Sequence, residues 1–165
     1  MENKDILFKK IFHENSSKIY HLCLGYSGDE DTANDLVQET FIKVWQNLEG
    51  FRNQSQLSTW VYRIAVNTCL SFLRVEKRKN NDSLSSEHIE NLADEASPKL
   101  DQINQLYKSI SRLEENERII ITMVLDEIPY PEIAEIFAIS EGNLRVRIHR
   151  IKQKLTRIYN QYEKF

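Results

Sequence analysis

The side chains best suited to chemistry in this 165-residue chain suit binding, and two groups of them stand out. The first lies in EGNLRVRIHRIKQKL, residues 141–155. Leu144, Ile148, Ile151 and Leu155 recur there at i, i+4, i+7 and i+11, the spacing of one buried helical face. Asn143, Arg147, Arg150, Lys154 and Arg157 fall on a flank, and Val146 and His149 lie nearly opposite the core. A short helix, a tight turn and this longer basic helix make a helix-turn-helix, whose second helix enters the major groove by its N-terminal part. Asn143, Val146, Arg147 and Arg150 are therefore the candidates for base edges, where arginine grips guanine in a bidentate way. Arg145, Lys152, Lys154 and Arg157 lie toward the sides or the far end, suited to phosphates. Ser140 stands at the N-cap, and Gly142 leaves backbone amides uncovered at the helix terminus.

The second group is in STWVYRIAVNTCLSFLR, residues 58–74. At 100° per residue Val61, Ala65, Cys69, Phe72 and Leu73 share a core arc, while Trp60, Arg63, Asn67, Ser71 and Arg74 gather within roughly 80° on the opposite side. A tryptophan flanked by arginines and an asparagine is an unusual dress for a face turned to water. Two readings fit Trp60 equally: a contact for a ligand, or a half-buried ring braced on a neighbouring helix. The helix continues into Arg74, Lys77, Arg78 and Lys79, a second basic site beside Glu76.

The elements that must position these groups are helices throughout. The chain holds four glycines and three prolines, and no alternating stretch is long enough for a sheet, so the expected fold is all-α. A first helix is expected over about residues 4–26, ended by Gly25, Ser27 and Gly28, and a second from the acidic DEDTAND to about Leu48. EGFRNQSQ, residues 49–56, is a polar loop before the Trp60 helix, which opens near Ser58 or Thr59. Residues 80–102 lose hydrophobicity, are rich in Ser, Asn, Asp and Glu, and read as a flexible acidic linker. Beyond it Ile103, Leu106, Ile110 and Leu113 resume the helical spacing, the very apolar RIIITMVLDEI follows, and Pro129 and Pro131 bracket Tyr130 at a helix start. Two small helical domains, 1–79 and 103–165, result.

The net charge of −3 argues mildly against indiscriminate nucleic-acid binding, yet the two basic sites flanking an acidic tether describe a binder with two footprints. The second helix carries a third surface. Asp31, Asp35, Gln38, Glu39, Ile42 and Gln46 lie opposite its core stripe, with Ile42 stranded among acids and amides. One exposed isoleucine is ordinary, and it is also how a partner-docking face looks.

Catalysis finds no support. His13, His21, His88 and His149 are scattered, without a nucleophile, base or ligand set. Cys23 and Cys69 sit on apolar faces without CxxC spacing, so neither a disulfide frame nor a metal site is expected, and no cofactor. No apolar run approaches the roughly 18 residues of a membrane span. Charges in MENKDILFKKIF occupy the place of a signal peptide's apolar stretch, so the expected location is cytoplasmic, without membrane insertion.

DTANDLVQETFIKVWQNLEGF, STWVYRIAVN and LEENERIIITMVLDEIPYPEIAEIFAISEGNLRVRIHRIKQKL together resemble, in order and spacing, the two blocks of bacterial sigma-70-type initiation factors. The chain is most similar to their extracytoplasmic-function group, which keeps regions 2 and 4 joined by a linker. The resemblance covers nearly everything outside residues 80–102 and implies a partner for each surface. Asp31, Asp35, Gln38, Glu39, Ile42 and Gln46 would dock on core RNA polymerase, at the clamp helices of its largest subunit. The helix-turn-helix, with Ser140, Asn143, Arg145, Val146, Arg147, Arg150 and Lys154, would read the −35 promoter element as duplex. The loop and the Trp60 helix would hold the melted −10 element, through Arg52, Asn53, Ser55, Thr59, Trp60, Arg63, Asn67, Arg74, Lys77 and Arg78.

Melted DNA offers exposed base faces and a flexible charged backbone, and the Trp60 stripe supplies an aromatic ring, an amide and cations for them. Extruding a base costs a few kcal/mol, which a pocket must offset; Arg52, Asn53, Ser55 and Asn67 are the pocket candidates. The resemblance also implies an anti-sigma protein as a partner, and a linker whose acids, Asp94 and Glu95 among them, mimic nucleic acid inside the polymerase. Three departures touch DNA-facing ground: Ala138 stands where the family often has glycine, extending the helix into the turn, and Asn143 and Val146 replace smaller residues. Ser71 stands where relatives commonly carry an acid. The rival reading is a stand-alone helix-turn-helix regulator on duplex DNA, which would leave the Trp60 stripe and the second-helix face without use.

Overall fold

A computed structural model describes residues 2–80 and 98–162, with backbone alone at 2, 73, 76–80, 98–99 and 162. Among the described residues the chain forms seven α-helices, one short 3-10 turn and no strand. They are α1 (Glu2–Ser27), α2 (Glu30–Asn47), the 3-10 turn Leu48–Gly50, α3 (Leu57–Asn80), α4 (Pro98–Ile110), α5 (Glu115–Leu125), α6 (Tyr130–Ile136) and α7 (Glu141–Tyr162).

Local chemistry sets the boundaries. Gly28, at φ 72°, turns the chain after α1. Asp29 then caps α2, its carboxylate accepting from Thr32 N at 2.7 Å, with Glu30 and Asp31 in the first turn facing the positive helix end. Glu114 and Glu117 form a reciprocal capping box at the start of α5. Helix occupies both ends of the expected linker: Asn80 closes α3, and residues 98–102 already belong to α4. Residues 81–97, with Asp94 and Glu95, lie outside the described residues.

Gly25 corrects the expected end of α1, because it lies inside the helix. A Cβ there would run into the hydroxyl of Thr122 on α5, so this glycine permits two helices to approach.

The first three helices pack as a bundle around Ile11, Ile19, Leu22, Leu36, Val44, Val61 and Ala65, and α4 to α7 close around Ile110, Ile120, Ile133, Leu144 and Ile148. The two hydrophobic groups are continuous, because α5 packs against both α1 and α7. Five successive α5 residues, Ile119 to Met123, are buried, as expected of a helix covered on more than one side. Cys23 and Cys69 are free thiols facing each other at 4.0 Å inside the first bundle. The hydrogen bond shared with Cys69, then burial, push the Cys23 thiol far up, which makes it a packing group and not a nucleophile.

Candidate nucleic-acid interface

The α3 face is built on the loop that precedes it. Phe51 stacks on Trp60 with ring centroids 5.0 Å apart, and Trp60 N donates to Gln56 O at 3.0 Å to start the helix. Trp60 is half-buried, its ring both braced and partly open. Beside it lies a pocket of about 310 Å³ lined by Gly50, Phe51, Arg52, Gln54, Ser55, Trp60 and Arg63. That is the small end of the range of ligand sites.

Several expectations change here. Asn53, at φ 52°, serves the loop's turn and does not line the pocket; Asn67 is exposed farther along α3 and does not line it either. Thr59 is fully buried and packs inside the bundle, so its assignment as a DNA contact is withdrawn. Phe51 and Gln54, which sequence reasoning missed, take part instead. Arg74 is exposed in line with the stripe, whereas the side chains of Lys77 and Arg78 lie outside those described. Arg63 is not free: it donates to Glu135 Oε1 on α6 at 3.0 Å.

The helix-turn-helix is α6, a turn and α7. Pro129 and Pro131 flank Tyr130, and α6 ends in a left-handed residue, Ala138 at φ 52°. Ile139 N reaches Ala134 O at 3.0 Å and Ala138 N reaches Glu135 O at 3.2 Å, the double bond pattern that closes a helix sharply. The turn is therefore not helical for longer, as the missing glycine suggested; alanine adopts glycine's conformation. Ser140 Oγ then accepts from Asn143 N at 3.2 Å and starts α7.

On α7, Leu144, Ile148, Ile151 and Leu155 are buried, while Asn143, Arg145, Val146, Arg147, His149 and Arg150 are exposed. Arg147 Nε donates to Asn143 Oδ1 at 3.1 Å, which restrains the guanidinium along its Nε edge. Arg145 lies over the Tyr130 ring at 5.1 Å and pairs with Glu141 at 3.6 Å. Lys154 corrects its assignment as a phosphate contact. It is tied to Glu117 at 2.8 Å, a bond that raises its ammonium pKa and joins α7 to α5.

The acidic side of α2 presents Asp31, Asp35, Gln38, Glu39, Ile42 and Gln46, all exposed, Ile42 by 55%. Ile42 borders a groove of about 430 Å³ shared with α1, lined by Phe8, Phe12, Gln38, Phe41, Ile42, Trp45 and Gln46. The aromatics interlock, Phe12 on Phe41 at 4.7 Å and Phe8 on Trp45 at 5.2 Å, with the Lys4 ammonium 4.5 Å over Trp45. Phe8 and Phe12, four residues apart on α1, were missed; their helical spacing was the available signal. Among the described residues no helix is long and apolar enough to cross a membrane, and no His, Cys, Asp and Glu cluster could hold a metal.

The chain matches two family descriptions, Sigma-70 region 2 over residues 11–79 and Sigma-70, region 4 over residues 103–155. It is 33% identical over 153 residues to the ECF RNA polymerase sigma factor SigW of Bacillus subtilis, covering 84% of this chain and 81% of that protein. It is 31% identical over 161 residues to the ECF RNA polymerase sigma-E factor of Haemophilus influenzae, covering 90% and 85%. The fold is shared with the sigma factor RpoE in its complex with the anti-sigma factor NepR from Bartonella quintana. There the TM-score is 0.78 at 24% identity, over 93% of this chain and 96% of that one.

Proposed function

Because the chain belongs to the extracytoplasmic-function group of RNA polymerase sigma factors, we propose that its three exposed faces divide the work of promoter-specific initiation among α2, α3 and α7. The protein binds core RNA polymerase and directs it to promoter DNA. Residues 1–79 act on the −10 element and the polymerase, 103–165 on the −35 element, and the stretch between tethers them. Asp31, Asp35, Gln38, Glu39, Ile42 and Gln46 dock on the polymerase, the apolar groove with Phe12 taking a side chain of the partner. Asn143, Val146, Arg147 and Arg150 read −35 base edges, with Arg145 and backbone amides near Ser140 on phosphates.

The observation that carries this reading is the pocket of Phe51, Arg52, Ser55, Trp60 and Arg63, whose ring and cations fit a base drawn out of a melted strand. Phosphodiester chemistry stays with the polymerase, so this chain supplies binding alone and acts in the cytoplasm. An anti-sigma protein is the partner expected to restrain it, as NepR is bound to RpoE in the related structure.

Run-off transcription with core polymerase on a promoter pool tests the reading. Trp60→Ala should lose about 1–3 kcal/mol of strand capture, roughly 5- to 150-fold, while Trp60→Phe keeps most of it. Arg147→Ala should instead weaken binding of −35 duplex. A wild-type chain that gives core polymerase no promoter specificity, yet shifts duplex DNA alone, would sink the assignment.

A further inference from the structure

In the first two turns of α7, Val146 is the residue that points most directly away from the body of the helix-turn-helix. At 100° per residue the buried Leu144, Ile148, Ile151 and Leu155 lie between roughly 140° and 200° around the axis from it, so the core is on the opposite side. When such a helix enters the major groove its domain stays outside, and the direction away from the core is the direction of the groove floor. In that pose Val146 faces the base pairs.

Among the described residues of α7 up to Arg157, Val146 is also the one exposed apolar side chain, at 51%. Its surroundings are polar. Asn143, His149 and Arg150, all exposed, stand within about 60° of it around the axis. Arg147 Nε is bonded to Asn143 Oδ1 at 3.1 Å beside it. One exposed valine is ordinary on a protein surface. This one is framed by groups that can bond to base edges, and its own side chain can neither donate nor accept.

The major groove offers one partner of matching chemistry. Adenine, guanine and cytosine present donors and acceptors there, and only thymine adds an apolar group, its C5 methyl. A valine side chain ends one bond beyond Cβ, so it reaches only a group that projects toward the helix, as this methyl does. It is also held ready for the contact. A β-branched side chain in a helix keeps essentially one χ1 rotamer, so its two methyls have little freedom to lose. Cytosine at the same place would set an amino group against those methyls and leave it without a partner.

We infer that Val146 selects a thymine in the −35 element by packing on its C5 methyl, and so sets the base preference at that one position. The inference rests on the reading of α7 as the −35 reader, to which it adds the base and the atom recognised.

The full-length chain with core polymerase, offered promoter duplexes randomised across the −35 stretch, supplies the test once the retained duplexes are sequenced. A thymine is expected to be enriched at one position on one strand. Replacing it by deoxyuridine removes the methyl and nothing else, and should weaken binding about fourfold, the worth of burying one methyl-sized group. Val146→Ala should bind the thymine and uracil duplexes alike, losing the enrichment at that position and keeping it at the others. Wild-type binding that ignores deoxyuridine at every enriched thymine, or enriches none, overturns the methyl contact and leaves the −35 reading standing. A Val146→Ala chain that still separates the two duplexes also overturns it, by giving the methyl to another side chain. A pool with no enriched position, unchanged by Arg147→Ala, overturns it by removing the −35 assignment itself.

Discussion

At the scale of single residues, the exposed face of α7 was legible because a helix converts spacing into direction. Leu144, Ile148, Ile151 and Leu155 announce the buried side, and the base-facing set follows by subtraction. The loop before α3 has no such period, so Arg52 and Ser55 were placed near a pocket while Phe51 and Gln54 went unnoticed and Asn53 was misplaced. Lys154 looked like its basic neighbours, because nothing local tells that Glu117, 37 residues away, takes it up. The bond between Asn143 and Arg147 carries a prediction at this scale. With Nε held by the Asn143 carbonyl, the outer nitrogens of Arg147 form a fork that suits guanine O6 and N7. Asn143→Ala frees the fork to rotate and should cost about 1 kcal/mol of discrimination at one −35 guanine, roughly fivefold. Asn143→Asp, which still accepts from Nε, should keep that preference. Binding titrations against duplexes substituted at single −35 positions decide it, and a preference untouched by Asn143→Ala removes the positioning role.

Elements were easier to read than their ends. Most helices lie where apolar periodicity and caps put them, though residues 98–102 belong to α4 and not to the linker; two further errors fall at Gly25 and at the turn after α6. Both involve a residue type defying its usual position: a glycine kept inside a helix by a distant threonine, and an alanine where glycine is the usual terminator. α5 ends by the same device, with Glu127 at φ 58° and Ile128 N bonded to Met123 O at 3.0 Å. A left-handed non-glycine residue costs roughly 1–2 kcal/mol, set against the greater chain entropy that glycine brings to the unfolded state. Ala138→Gly should therefore stabilise the helix-turn-helix by up to about 1 kcal/mol, read as a higher urea midpoint at unchanged slope. It should leave −35 affinity unaltered, since Ala138 only closes the turn. A lower midpoint would show that the Ala138 side chain contributes packing beyond its strained backbone.

For the whole molecule, two helical units with a stretch between them were readable from composition, but their packing on one another was not. His21 and Asp126 are 105 residues apart, and no periodicity links them. The one local trace was the very apolar α5, whose circumference asks for more neighbours than its own half provides. This continuity bears on how the chain unfolds. If Ile119 to Met123 complete a core shared with α1, neither half keeps its full burial when the other melts, and the free protein should denature in one cooperative transition. Combining Gly25→Leu with Glu135→Ala removes both the close approach and the Arg63 pair while leaving the Ile11–Val44 and Leu144–Leu155 packing in place. In that variant the transition should split in two, one for α1 to α3 and one for α4 to α7, each broader than the original because each exposes less surface. Calorimetry on the full-length chain reads this directly. Wild-type melting in two steps would mean the α1–α5 contact adds no cooperativity, and that the halves touch without depending on each other.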